Sequence, residues 1–190
     1  MKQPIRYVPS YRLAPKRVLN VKSAWISIPE ILPCLFHQFK VGTSLCVEFG
    51  VEFGFSTVAL SEHFETVIGV DTFRGLGHDD SFFEQVRESL RPYENIELVA
   101  TRWQDFAIFC DIPVDLVHVD VDHGYDATYE AGEWAVLHAP VSLFHDTLSH
   151  SDIPTAAGIR ACGDLAEKYD LTYYNFCESH GLGILSRVTL

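Results

Sequence analysis

Carboxylates and histidines gather at a few points of this chain, and the first group surrounds two glycines. The stretch Val47-Glu48-Phe49-Gly50-Val51-Glu52-Phe53-Gly54-Phe55-Ser56-Thr57 is an apolar run broken at Gly50 and Gly54 that resumes as Val58, Ala59, Leu60 and Phe64. That pattern describes a strand, a tight turn and a helix, with glycines where a ligand must lie close to backbone. A second apolar run, Val67-Ile68-Gly69-Val70, ends on Asp71. An acid about 20 residues past the first glycine, at the end of the next strand, is placed to grip a ribose diol. The spacing is E-x-G-x-x-x-G, without the G-x-G-x-x-G that seats a pyrophosphate on a helix N-terminus. Glu48 and Glu52 would repel a pyrophosphate and attract a cation. S-adenosylmethionine, with its sulfonium and ammonium, suits that field better than NAD. The plainer alternative makes Gly50 and Gly54 ordinary turn residues.

Two further groups lie downstream, Asp120-Val121-Asp122-His123 and His145-Asp146-Thr147. They support two mechanisms. Carboxylates and a histidine from neighbouring strand ends could hold a hard divalent cation such as Mg²⁺, which lowers the pKa of an acceptor hydroxyl. Alternatively His145 or His123 is a general base oriented by a carboxylate. Both require an oxygen to approach a methyl carbon in line, so positioning supplies much of the rate. Trp103, between Arg102 and Gln104, reads equally as a core aromatic or as a wall for an adenine. His118, between Val117 and Val119, reads as a hydrogen-bonded core histidine, and His37, His63, His78 and His138 as incidental.

The elements that must position these groups are legible as periodicity. Strand signals fall at residues 44–49, 66–70, 96–100, 114–120, 141–145, 171–177 and 182–188. Four of the first five are apolar runs without alternation, as expected of parallel strands buried on both faces. Residues 29–39 predict a short packing helix. Ser81-Phe82-Phe83-Glu84 is a capping-box pattern opening a helix to about Leu90. Asp126 is placed to cap a helix that ends before Pro140, and Asp152 and Pro154 introduce another through Ile159, Cys162 and Leu165. Strands alternating with helices, then two strands joined by Glu178-Ser179-His180-Gly181, predict a mostly parallel sheet closed by an antiparallel hairpin. In such sheets ligands bind outside the carboxyl ends of the strands. Glu48, Asp71, Arg102, Asp120 and His145 would share that rim.

With 190 residues, 47% hydrophobic and 21% charged, the chain fits one globular domain, here assigned to residues 30–190 behind a basic, proline-containing arm, 1–29. No run of about 18 apolar residues predicts a membrane span, and no apolar core of a secretory signal is evident, so a cytoplasmic location is expected. Five scattered cysteines, never C-x-x-C, read as free thiols in a reducing compartment. The net charge of −12 is asymmetric. Lys2, Arg6, Arg12, Lys16, Arg17 and Lys22 precede the first acid, Glu30, while the remaining eight cations face 26 acids, a net of −18. An acidic body disfavours a nucleic-acid substrate. Pro4, Pro9 and Pro15 keep the arm from forming a long helix. The arm is expected to lie extended on the acidic body or on a second subunit; holding an anionic acceptor is the sharper alternative.

The motifs together resemble class I S-adenosylmethionine-dependent methyltransferases, and within them the branch of sugar O-methyltransferases and cephalosporin-hydroxylase-like proteins. The resemblance runs from about Ser44 to Arg187. It rests on the glycine segment, Gly69-Val70-Asp71-Thr72-Phe73-Arg74-Gly75, residues 115–125, Leu143-Phe144-His145-Asp146-Thr147, Gly158-Ile159-Arg160 and Gly181-Leu182-Gly183-Ile184-Leu185. It implies a Rossmann-like seven-stranded α/β sheet of order 3-2-1-4-5-7-6. Glu48, Gly50, Gly54 and Ser56 would surround the methionine part, Asp71 the ribose, and Arg102 and Trp103 the adenine. Asp120, His145 and Asp146 would face the acceptor, where metal-using relatives place ligands. Three departures are Ala139-Pro140-Val141 in place of a glycine pair, Arg102 where a small or acidic residue is common, and His145 where some metal-using relatives have an acid.

The resulting expectation is O-methylation of a small hydroxylated metabolite such as a sugar. The arm and residues 75–81 and 147–153, which include His78, Asp79, Asp80, His150 and Asp152, would build the acceptor site. Two competing readings are a non-catalytic cofactor-binding or assembly module, and a metal-dependent hydroxylase-like enzyme using Asp120, His123, His145 and Asp146.

Overall fold

The computed structural model describes residues 1–74, 81–122, 124–148 and 156–190. Its centre is a set of short apolar strands: β2 (Leu45–Phe49), β3 (Thr66–Asp71), β4 (Ile96–Ala100), β5 (Leu116–Val119) and β6 (Val141–His145). β5 and β6 are buried at every position, as befits parallel strands covered on both faces. The hairpin strands are β7 (Thr172–Phe176) and β8 (Leu182–Ser186), and β8 runs antiparallel to both β6 and β7. Counted from β2, the order is the expected 3-2-1-4-5-7-6. The sheet nevertheless has eight strands, because Ile5–Arg6 (β1) pairs in parallel with β7 at the edge. Two residues carry no periodicity to read; Pro4 keeps the chain extended and the free edge of β7 supplies the partner.

Helices cover both faces. α1 (Leu32–Phe39) and α2 (Phe55–Ser61) lie on one, in a cluster with Cys46, Val67, Leu116, Leu143 and Ile184. α5 (Tyr125–His138) and α6 (Ala156–Lys168) lie on the other, against Val47, Phe49, Val117 and Phe144. α3 (Phe83–Leu90) closes the β4 edge through Val86 and Leu90, and α4 (Trp103–Phe109) is a short helix that the sequence pattern did not announce. Two helix starts differ from expectation. Phe82, not Ser81, occupies the cap of α3, and the Ser81 hydroxyl accepts only the Phe83 N–H at 3.3 Å. Gly124 precedes α5, leaving Asp126 inside its first turn. The expected Asp152 and Pro154 start lies outside the described residues.

The arm is part of this packing. Trp25, Ile28 and Tyr7 are buried with α1. Lys2 pairs with Asp170, Arg12 with Glu178, and the Lys16 and Arg17 backbone N–H groups donate to the Glu62 carboxylate. None of the helices among the described residues is long and apolar enough to cross a membrane.

Candidate active site

Strand order reverses between β2 and β5, and a cleft of about 650 Å³ opens at their carboxyl ends. Such a switch point is where ligands bind in open α/β sheets, and the volume suits a nucleoside-sized molecule. Gly50, Glu52, Ser56, Asp71, Arg102, Trp103, Asp120, His145 and Asp146 all line it, together with Asp122 and Arg74.

The floor is the glycine turn. Gly50 has φ +91°, and a Cβ there would stand 1.8 Å from the Asp120 carbonyl oxygen, so β2 and β5 can approach only with glycine at this point. Glu52 has φ 49° and Gly54 φ 86°, the latter capping α2. Asp71 sets this loop. Its Oδ2 accepts the Val51 and Glu52 N–H groups at 2.8 and 2.9 Å, and its Oδ1 accepts the Phe73 N–H at 2.8 Å.

Glu48 is elsewhere. The sequence places it beside the ligand, whereas its side chain is fully buried beneath the cleft, accepting the Thr57 hydroxyl and lying 2.9 Å from His118 Nδ1. It fastens α2 to β2 and β5 and does not line the cleft wall. Gly54 is also withdrawn, with Leu90 packed 2.7 Å from where its Cβ would be. His118 is the buried core residue that the sequence suggests, and its partner is Glu48.

At the opposite rim, Trp103 is half-buried, 5.8 Å from the Phe49 ring centre, and also borders the cleft. Arg102 is engaged by Asp105 through two hydrogen bonds of 2.9 and 3.0 Å at the start of α4.

Beside the carboxyl ends of β5 and β6 the cleft brings three residues together. His145 Nδ1 lies 3.1 Å from Asp120 Oδ2 and 3.6 Å from Asp146 Oδ1, and its Nε2 lies 3.0 Å from the Ser179 carbonyl. A carbonyl and a carboxylate both only accept, so both ring nitrogens carry a proton, Nε2–H donating to Ser179 and Nδ1–H to Asp120. Burial alone would lower the His145 pKa; Asp120, then Asp146 and the Ser179 carbonyl, outweigh it and push it up to about 9. Asp146 has φ 53°, an uncommon conformation that turns its carboxylate back toward His145. One ligand atom from each of Asp120, His145 and Asp146 lies within 4.8 Å of the others, a spacing a single cation could bridge. Glu52 adds to the negative field: partial burial, then Asp120 and Asp71, hold its carboxyl above the usual range. His123 lies outside the described residues, as do His78, Asp79, Asp80, His150 and Asp152.

The arm, expected to help build the site, lines the cleft with residues 21–25. Sequence reasoning missed Trp25, which is buried with its ring 4.5 Å from that of His118 and 6.2 Å from that of His145. The apolar cluster Ala24, Trp25, Ile26 and Ile28, following the last cation of the arm, was the available signal.

The profile of a methyltransferase domain family matches residues 47–147, which spans the glycine turn, Asp71, Asp120 and the His145-Asp146 pair. No curated protein sequence matches the chain. Among solved structures it is similar to the O-methyltransferase TomG of Streptomyces achromogenes, involved in tomaymycin synthesis and determined with S-adenosylmethionine. The two share 18% identity over 88% of this chain and 81% of that one, with a TM-score of 0.62. It is similar also to an O-methyltransferase of Bacillus cereus determined with S-adenosylhomocysteine, at 16% identity over 94% and 84% of the two chains and a TM-score of 0.60. An rRNA methylase of Streptococcus thermophilus superimposes at 14% identity over 83% and 96%, with a TM-score of 0.54. The identities are low and carry the fold, while the profile covers more than half of the 190 residues. The chain therefore belongs to the methyltransferase domain family and has the Rossmann-like fold of the class I enzymes.

Proposed function

We propose that this chain transfers a methyl group from S-adenosylmethionine to a hydroxyl of a small, hydroxylated acceptor. The observation that carries the reading is the cleft at the β2/β5 reversal, which joins an acid-braced glycine turn to the Asp120, His145 and Asp146 group. The cofactor's sulfonium and ammonium would meet the field of Glu52 and Asp120, its ribose the Asp71 carboxylate, in exchange for the long 3.5 Å bond that Asp71 Oδ1 accepts from the Thr72 hydroxyl, and its adenine the Trp103 rim. Glu48 acts at one remove, holding α2 so that the turn keeps its shape.

His145 then works as a positioning residue and not as the base. Its Nε2–H is spent on Ser179, and its Nδ1 faces carboxylates instead of an acceptor. Asp120 and Asp146 are the groups that can receive the acceptor proton. Asp120 and Asp146 also fit a hard divalent cation, Mg²⁺ or Mn²⁺, with His145 Nδ1 as a third ligand once the cation displaces its proton. Such a cation would supply a lowered pKa at the acceptor hydroxyl. The acidic body favours a small acceptor over RNA.

Calorimetry with S-adenosylhomocysteine and NAD⁺, followed by radiolabelled methyl transfer to a panel of polyols, phenols and hydroxy acids, tests the reading. S-adenosylhomocysteine binds in preference to NAD⁺, and label enters oxygen. A preference for NAD⁺, or no binding of the nucleoside, overturns it. Chelation removes turnover and Mg²⁺ or Mn²⁺ restores it; full activity after chelation overturns the cation and leaves the carboxylates as the base.

A further inference from the structure

The arm crosses the cleft as a strap fixed at both ends. Upstream, the Arg17 guanidinium donates to the Ser61 carbonyl, the Ser61 hydroxyl and the Asn95 side chain at 2.8, 3.0 and 2.8 Å. Leu19 packs on the cluster that contains Val51 and Phe73, beside the glycine turn. Downstream, Trp25 is buried against His118, and the Ser27 N–H donates to the Ser179 hydroxyl at 3.1 Å, on the residue whose carbonyl holds His145. Between these anchors, residues 21–25 form a wall of the cleft. The strap therefore runs from the cofactor's end to the reactive end.

Its one charged residue within that wall is Lys22. Lys2, Arg12 and Arg17 of the same arm have side-chain partners on the body; the side chains of Arg6, Lys16 and Lys22 have no hydrogen-bond or ion-pair partner among the described residues, and of these only Lys22 lines the cleft, as does Arg74, whose guanidinium has none there either. Leaving two cations unpaired beside five cleft carboxylates, Glu52, Asp71, Asp120, Asp122 and Asp146, makes sense where an incoming group completes them. A bound S-adenosylmethionine answers the carboxylates with its sulfonium and ammonium and leaves Lys22 and Arg74 to an anion.

Building on the methyltransferase reading, we propose that the strap forms the acceptor wall and that Lys22, with Arg74, selects acceptors bearing a carboxylate or phosphate beside the hydroxyl to be methylated. The same chemistry exists in the methionine carboxylate of the cofactor, so the test separates the two sources. Wild-type protein, Lys22→Gln and Lys22→Arg are titrated first with S-adenosylhomocysteine and with 5′-methylthioadenosine, which lacks the carboxylate. The S-adenosylhomocysteine-loaded proteins are then titrated with matched pairs: glucose 6-phosphate and glucuronate against glucose, and 3,4-dihydroxybenzoate against 3,4-dihydroxybenzyl alcohol.

The loaded wild type binds the anionic member of at least one pair about tenfold or more tightly than the neutral one. Lys22→Gln removes most of that preference, Lys22→Arg keeps it, and the ratio of S-adenosylhomocysteine to methylthioadenosine affinity does not move. Equal affinities within every pair, or no binding of any anion, overturn the proposal. A fall in the nucleoside ratio in Lys22→Gln overturns it too, by assigning Lys22 to the cofactor carboxylate. Failure of S-adenosylhomocysteine to bind wild type at all removes the methyltransferase reading itself, and is seen in the first titration.

Discussion

Asp71→Asn is the substitution with the most to say about how this cleft is built. It is nearly isosteric, and if Asp71 served only as a ligand for ribose it would leave the free protein alone. The geometry forbids that outcome. Oδ2 accepts two loop N–H groups and Oδ1 a third, from Val51, Glu52 and Phe73, all between 2.8 and 2.9 Å. An asparagine has one accepting oxygen and one donating NH₂. Turned one way, the NH₂ opposes the Phe73 N–H; turned the other, it opposes both loop N–H groups. The first orientation loses less and should be adopted.

The cost is at least one charge-assisted hydrogen bond lost, one donor set against a donor, and two retained bonds weakened by loss of the charge. Each lost bond to a charged group is worth about 1.5–3 kcal/mol, and water recovers part of it because Glu52 is exposed. The sum is about 2–4 kcal/mol, which for a domain of this size is a Tm lowered by roughly 5–15 °C. Thermal melts followed by circular dichroism, with and without saturating S-adenosylhomocysteine, measure it. On the proposed placement of the ribose at the same carboxylate, affinity for the nucleoside should fall as well, by about 1–3 kcal/mol. A melting temperature within about 1 °C of wild type would refute the bracing role, whatever the affinity does.

The two glycines of the turn should separate in the same assays. A Cβ at Gly50 meets backbone, the Asp120 carbonyl at 1.8 Å, whereas at Gly54 it meets the flexible end of Leu90 at 2.7 Å. Both positions have positive φ, costing an alanine about 1–2 kcal/mol each; Gly50→Ala must in addition part β2 from β5, so it should lose about 3 kcal/mol or more in urea unfolding and abolish nucleoside binding. Equal losses, or the reverse order, would contradict the close approach. The arm should loosen in acid. Its hydrogen bonds from Arg12 and Lys2 hold the Glu178 and Asp170 carboxyls below their ordinary range, so their contribution is complete above the unfolded pKa near 4 and is lost as pH falls through the depressed values. Hydrogen exchange corrected for intrinsic rate should show the N–H groups of Tyr7 and Leu13, bonded to the Asn175 and Glu30 carbonyls, losing protection relative to β5 between about pH 5 and 3. Constant relative protection would show that these ion pairs do not hold the arm, as their exposure would then explain.

How much of this architecture is visible in the residues depends on how local its cause is. Strands buried on both faces need only be apolar, so the runs at 45–49, 116–119 and 141–145 announce themselves. Trp25 is invisible as a site residue because its place is decided by His118, far along the chain, and β1 because an edge of β7 makes it. Helix α4 escapes because its exposed Ile108 and Phe109 blur any apolar face. The sharpest lesson lies in two acids at strand ends. Glu48 stands opposite Gly69 in the β2–β3 ladder, and Asp71 is two residues beyond Gly69. Side chains alternate along a strand, so the two acids project to the same side of the sheet. Glu48 lies within the ladder, beneath α2, and is buried against Thr57 and His118. Asp71 lies past the end of β2, where the covering stops and the glycine turn begins, and the same direction takes its carboxylate to the cleft. Type and spacing made both acids candidates. One register step past the last buried rung separates the residue that can touch a ligand from the one that holds the scaffold under it.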